Sequence, residues 1–148
     1  MALKTDAVGK SWPPYEYEVG REKIREYAQV IGIDNPVHFD AAAAKDAGYR
    51  GIVAPPMFVV VYAAGSMGPV LFDPDVEMNF AAMVHGGQEF EWGEPVISGD
   101  LITTTVTCKD IFPKDGKGFY VFETESVNQN GDLVCKATWT NIVRGIEE

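Results

Sequence analysis

From Met57 to Ala64 the chain reads Met-Phe-Val-Val-Val-Tyr-Ala-Ala, with no charged side chain. Pro56 suits the first turn of a helix, where a proline loses no needed N–H. A helix over 57–64 is therefore apolar on every side, and such a helix is buried on every side. In a chain of 148 residues, something else must wrap it. The run is too short to span a bilayer, and Pro55, Pro56 and Gly65 interrupt it.

The second half supplies the wrapper. Met83 to Trp92, Asp100 to Phe112, Gly118 to Val127 and Leu133 to Arg144 read as four strands. In the last, Leu133, Cys135, Ala137 and Trp139 share one face, and Lys136, Thr138 and Thr140 the other. That alternation fits an antiparallel sheet with one covered face. Asn130-Gly131 predicts a tight hairpin turn of the kind that needs positive φ. Helices followed by a strand meander give an α+β fold, a long sheet curled round one central helix.

The first half is helical after an arm over residues 1–16 and an edge strand at Tyr15 to Val19. Gly20 can cap a helix. Between Arg21 and Ile31 the apolar residues Ile24, Tyr27, Ala28 and Ile31 fall on one helical face, and Gly32 ends it. Ala41 to Ala47 reads as a short helix stopped by Gly48. We expect one domain, residues 1–148.

The formal net charge is −10, from 22 acidic and 12 basic residues. That balance argues against nucleic acid or an anionic membrane as a partner, since both need clustered Lys and Arg. Anionic small molecules need only a local basic group. Cys108 and Cys135 show no C-x-x-C and no zinc spacing, and read as two buried free thiols. The N-terminus carries no signal-peptide pattern, so a soluble cytoplasmic protein is expected.

Chemistry-bearing residues concentrate in Gly32-Ile33-Asp34-Asn35-Pro36-Val37-His38. A carboxylate, an amide and an imidazole fixed by a proline can make an acid/base site. By itself the loop leaves alternatives open. His38 is a site residue or a histidine bonded to backbone. Asp34 is an acid or an Asx-turn residue. His85 reads as a structural histidine at a strand bulge marked by Gly86 and Gly87, with substrate contact second. Ser98-Gly99-Asp100 reads as the turn into a strand, and Asp73, Asp75 and Glu77 as a solvated loop.

The order of helix, D/N-P-x-H loop, apolar helix and meander resembles the hot-dog fold of MaoC-type dehydratases and (R)-specific enoyl hydratases. The resemblance runs from Tyr17 to Arg144. It is closest to actinobacterial (3R)-hydroxyacyl-acyl-carrier-protein dehydratase subunits, the FAS1-like dehydratase group. It is carried by 17–26, Val53-Ala54-Pro55-Pro56, Val84-His85-Gly86-Gly87-Gln88 and Gly99-Asp100. It implies a single hot-dog domain and a reversible dehydration of 3-hydroxyacyl thioesters, with no metal and no cofactor. That reaction needs a base, a proton donor to the leaving oxygen, and donors for the enolate oxygen.

Family members carry the acid and base in a loop reading roughly G-D-x-N-P-x-H. His38, Asn35 and Pro36 match it, and Ile33 falls where the aspartate belongs. Catalytic relatives have His-Gly at the start of the central helix, where the glycine N–H holds the thioester oxygen. Ala54 and Pro55 stand there, and proline has no N–H. In two-subunit relatives one subunit lacks the acid/base pair and shapes the acyl channel, often with tyrosine where this chain has His38.

The resemblance thus implies His38 and Asp34 as catalytic candidates. Asn35, Met57, Phe58, Val61, Tyr62 and His85 are the substrate-binding ones. The first expectation is a dehydratase subunit working on acyl-CoA or acyl-carrier-protein thioesters with a MaoC-type catalytic partner. The second is a self-sufficient homodimeric hydratase using His38 and Asp34. The third is a non-enzymatic acyl-thioester binding protein. A thioesterase is disfavoured, because the histidine stands where hydratases have it.

Overall fold

A computed structural model describes residues 2–146. Its first regular strand is β1 (Tyr15–Glu18), followed by helix α1 (Arg21–Val30). Ile24 and Ala28 form the buried face of α1. The helix ends in a Schellman motif: the Gly32 N–H donates to the Gln29 carbonyl and the Ile33 N–H to that of Ala28. Gly32 makes this possible at φ +76. Ile33 is thereby spent on closing a helix.

A 3-10 turn, Pro36–His38, follows, its start held by the Asn35 side chain accepting from the Val37 N–H. Asp40 caps α2 (Ala41–Asp46) by accepting from the Ala42 N–H.

The central apolar segment departs from expectation in two ways. A 3-10 turn (Pro56–Phe58) leads into α3 (Val59–Tyr62), a break falls at Ala63, and α4 (Ala64–Leu71) continues with Pro69 inside it. Packing outweighs the local breakers. A Cβ at Gly65 would overlap the Tyr15 ring, so glycine lets that ring lie directly on the helix. The segment is also not buried all round in this chain. Phe58, Val59, Tyr62 and Ala63 are buried, but Met57 is 43% exposed and Val60 36%. One sheet covers one side of a helix, and the opposite apolar face stays open.

The remaining strands are β2 (Met83–Trp92), β3 (Leu101–Lys114), β4 (Lys117–Val127) and β5 (Leu133–Arg144). The five make one antiparallel sheet in the order β1-β3-β4-β5-β2. On β5, Cys135, Ala137, Asn141 and Val143 are buried, continuing the predicted covered face. The β3–β4 hairpin turns on Asp115-Gly116, both at positive φ. That two-residue turn matches the right-handed strand twist. The predicted tight turn at Asn130-Gly131 is instead a wider loop, 128–132, in which only Gly131 has positive φ. The Asn128 side chain accepts from the Asn130 and Asp132 N–H groups. The side chain, not the turn type, fixes this connection.

β2 pairs with β5 through a bulge between His85 and Gly87, as the paired glycines suggested. Its other edge is open. The acidic segment after α4 is more than a solvated loop. Asp73 accepts from Lys10 Nζ at 2.6 Å and from Trp12 Nε1 at 2.8 Å, fastening the N-terminal arm. The Lys10 bond holds the Asp73 carboxyl below the usual carboxylate range. Asp100 closes its turn by accepting from the Ile97 N–H at 2.9 Å. Cys108 and Cys135 are free and buried, and burial pushes both thiols up to about 11. Among the described residues, no helix is long and apolar enough to cross a membrane.

Candidate functional site

Three separate segments are laced together above the central helix. The Val53 N–H donates to the Val37 carbonyl, and the Ala54 N–H to that of Val96. Val53 also bridges to Ile97 in the connection after β2. The loop carrying His38, the strand-like 53–55 and the connection after β2 are therefore tied together by backbone hydrogen bonds. Between them and the sheet lies a cavity of about 380 Å³, at the lower end of small-molecule sites.

Its walls divide by exposure. Asn35, Pro56 and the stretch Trp92 to Pro95 are exposed and form the rim. His38, Val53, Ala54, Pro55, Tyr62, Val96 and Val134 are buried and form the floor. Most of the floor's polar capacity is already committed. His38 lies 8% exposed, and its Nδ1 is 2.6 Å from the Val53 carbonyl oxygen. A carbonyl only accepts, so Nδ1 donates this bond and Nε2 takes no part in it. The histidine is thus both a cavity residue and a backbone-bonded one. At the start of the helix the Ala54 N–H is spent on Val96, and neither Pro55 nor Pro56 has one to offer.

Tyr62 reaches from α3 to the sheet. It shares a buried cluster with Cys135 of β5, and its ring tilts against Phe58 at 6.3 Å. Burial, then the neighbouring thiol, pushes the Tyr62 phenol far up, so it is neutral and can donate a proton only as a hydrogen bond.

The structure brings His38, Asn35 and Tyr62 to one cavity. Asp34 is exposed and is not among the lining residues. Phe58 is fully buried beneath Tyr62, Val61 is half-buried and Met57 faces outward on the open side of the helix. His85 is exposed on β2, its ring edge-on to Trp139 at 6.2 Å, away from the cavity. Sequence reasoning missed Tyr49, Trp92, Glu94, Val96 and Val134. Glu94 is the one carboxylate among the lining residues. Only the long-range fold brings 92–96 over the His38 loop, so no local pattern could have found them.

A family model described as the FAS1-like dehydratase domain region matches residues 6–137. A UPF0336 protein of Streptomyces coelicolor is 41% identical over 150 residues, which cover 100% of this chain and 99% of that protein. Among solved structures, the HadBC complex of Mycobacterium tuberculosis, titled a 3R-hydroxyacyl-ACP dehydratase, contains a chain 32% identical with a TM-score of 0.84. The match covers 95% of this chain and 99% of that one. The R-hydratase PhaJ1 of Pseudomonas aeruginosa, 24% identical over 95% of this chain and 83% of its own, has the same fold with a TM-score of 0.74.

Proposed function

We propose, from the premise that this chain belongs to the FAS1-like dehydratase family, that it is the channel-forming subunit of a 3-hydroxyacyl-thioester dehydratase. A second, MaoC-type chain supplies the acid/base pair. The observation that carries this reading is the composition of the cavity. His38 lines it, but the acid position is Ile33, which closes α1, and Asp34 stands outside the lining. The helix entry offers no N–H from 54 to 56 for a developing oxyanion. A largely apolar floor under a rim that carries Asn35 and Glu94 suits an acyl chain whose thioester end lies toward the opening.

Two surfaces support a partner. The outer edge of β2 has unpaired backbone groups, which sheets pair or cover. Met57 and Val60 leave one face of the central helix apolar and open. A second chain of the same architecture could extend the sheet along β2. The similar chain of the HadBC structure is itself part of a complex.

The test is hydration of a short enoyl-CoA. Alone, the chain should give no turnover above background. With a co-expressed MaoC-type partner it should turn over, and His38→Ala in this chain should leave that rate within a few-fold. The reading fails if the chain alone is active and His38→Ala removes about 10²–10⁴-fold of the rate, the usual contribution of a general acid or base. Tight acyl-thioester binding without turnover in either setting would make it a binding protein.

A further inference from the structure

We infer that a second, smaller cavity beside the rim seats the pantetheine arm of the thioester, with Asn128 and Arg50 donating to its amides. This rests on the proposed function, in that the first cavity is taken as the acyl site.

The second cavity has a volume of about 210 Å³, and its walls include Arg50, Asn128, Asn130 and Asp132. Tyr49, Glu94 and Pro95 line both cavities, so the two are neighbours. The wall they share reaches the surface, because Glu94 and Pro95 are exposed. A chain leaving the rim of the first cavity meets the second by passing over that wall.

Asn128 is 5% exposed, yet only half of its side-chain amide is used. Its Oδ1 accepts from the Asn130 and Asp132 N–H groups at 3.0 and 3.1 Å. Its backbone N–H donates to the Asp132 carbonyl and its carbonyl accepts from the Gly131 N–H, so the loop holds the side chain in place. Among the described residues, nothing accepts from its Nδ2. A largely buried donor without an acceptor costs free energy, and a ligand in this cavity supplies one.

Arg50 is the second donor. Its Nη2 lies 3.3 and 3.4 Å from the Asp100 oxygens. Those are the long bonds of that carboxylate, which also accepts from the Ile97 N–H and from Gln129 Nε2, each at 2.9 Å. The Arg50 side chain is 60% exposed, and its remaining N–H groups are available to a ligand.

The signs of the charges choose that ligand. Glu94 and Asp132 repel a phosphate, and Arg50 repels an ammonium. A neutral amide uses every group: its oxygen accepts from Asn128 or Arg50, and its N–H donates to a carboxylate. Pantetheine is the part of an acyl thioester with that chemistry, carrying amides at intervals beyond its sulfur.

Octanoyl thioesters of N-acetylcysteamine, pantetheine, coenzyme A and acyl carrier protein test this, titrated calorimetrically into the protein purified from its own host. N-acetylcysteamine ends after the first amide, so the pantetheine thioester should bind more tightly. Asn128→Asp keeps Oδ1 and the loop but puts an acceptor where the donor was. It should weaken the pantetheine, coenzyme A and carrier-protein thioesters by the same factor, about three- to tenfold for one lost hydrogen bond. The N-acetylcysteamine thioester should be unaffected. Arg50→Met, which leaves Asp100 its two shorter bonds, should act in the same direction and covers the case in which Asn128→Asp does not fold.

Folded variants that leave the preference for pantetheine intact, or a wild-type protein without that preference, overturn the assignment. A loss confined to coenzyme A or to carrier protein also overturns it, since it places the contact on the nucleotide or on the carrier's surface. Ala54→Leu separates these failures from failure of the acyl site, because Ala54 lines only the first cavity. If it weakens the N-acetylcysteamine thioester, the acyl site stands whatever becomes of the arm. If it does not, or if no octanoyl thioester binds, the proposed function falls together with the inference.

Discussion

Replacing Phe58 by alanine should cost the fold about 3–5 kcal/mol, the usual range for deleting a fully buried phenyl group. Phe58 is 0% exposed and receives the ring edges of Tyr17 and Tyr27 while tilting against Tyr62. Its neighbours come from β1, α1 and α3, three elements anchored elsewhere, so they cannot collapse together to fill the space. Domains of this size hold a margin of about 5–15 kcal/mol, so one such loss approaches global unfolding. Urea denaturation followed by circular dichroism measures it, with an unchanged slope marking a pure stability effect. A loss under about 1 kcal/mol would contradict this packing, since it would mean the site relaxes freely.

Gly93→Ala should be nearly as damaging for a different reason. A Cβ at Gly93 would overlap the carbonyl of Leu133, a backbone group that cannot rotate away. β5 is paired with β4 on its other side, so Leu133 cannot retreat either. The end of β2 must lift instead. That breaks the bonds from the Gly93 N–H to the Val134 carbonyl and from the Glu94 N–H to that of Leu133. Strain plus the lost bonds amounts to about 2–4 kcal/mol. Because Trp92 to Pro95 form the rim, acyl-thioester affinity should fall in parallel. Gly68→Ala is the matching control: it sits in α4 with open space around a new Cβ, and in the isolated chain it should be neutral or stabilising. Equal effects of the two substitutions would show that the contact at Leu133 does not govern the result.

These two residues also show where the sequence was legible. The alternation in β5 and the helical spacing of Ile24 and Ala28 placed most elements within a residue or two, because burial on one face imposes those periods directly. Asn35, Pro36 and His38 marked the loop for the same local reason. The central helix was harder. Its uniform apolarity could not say which face meets the sheet and which meets a partner, and Gly65, Ser66, Gly68 and Pro69 concealed α4. The rim was invisible, since Trp92 and Glu94 gain their place only when 92–96 folds across the His38 loop through the Ala54–Val96 bond. Asp34 illustrates the limit of spacing: one residue from the expected acid position, it lies on the surface rather than in the cavity.

As proposed, this chain is half of a site that another chain completes. The most direct measurement is the native mass of the assembly purified through a tag on this chain after expression in its own host. The chain weighs 16.2 kDa. A mass that is not a multiple of it, with a MaoC-type second chain released on denaturation, is the predicted result. A simple multiple of 16.2 kDa, in a preparation that hydrates enoyl thioesters unaided, would contradict the account.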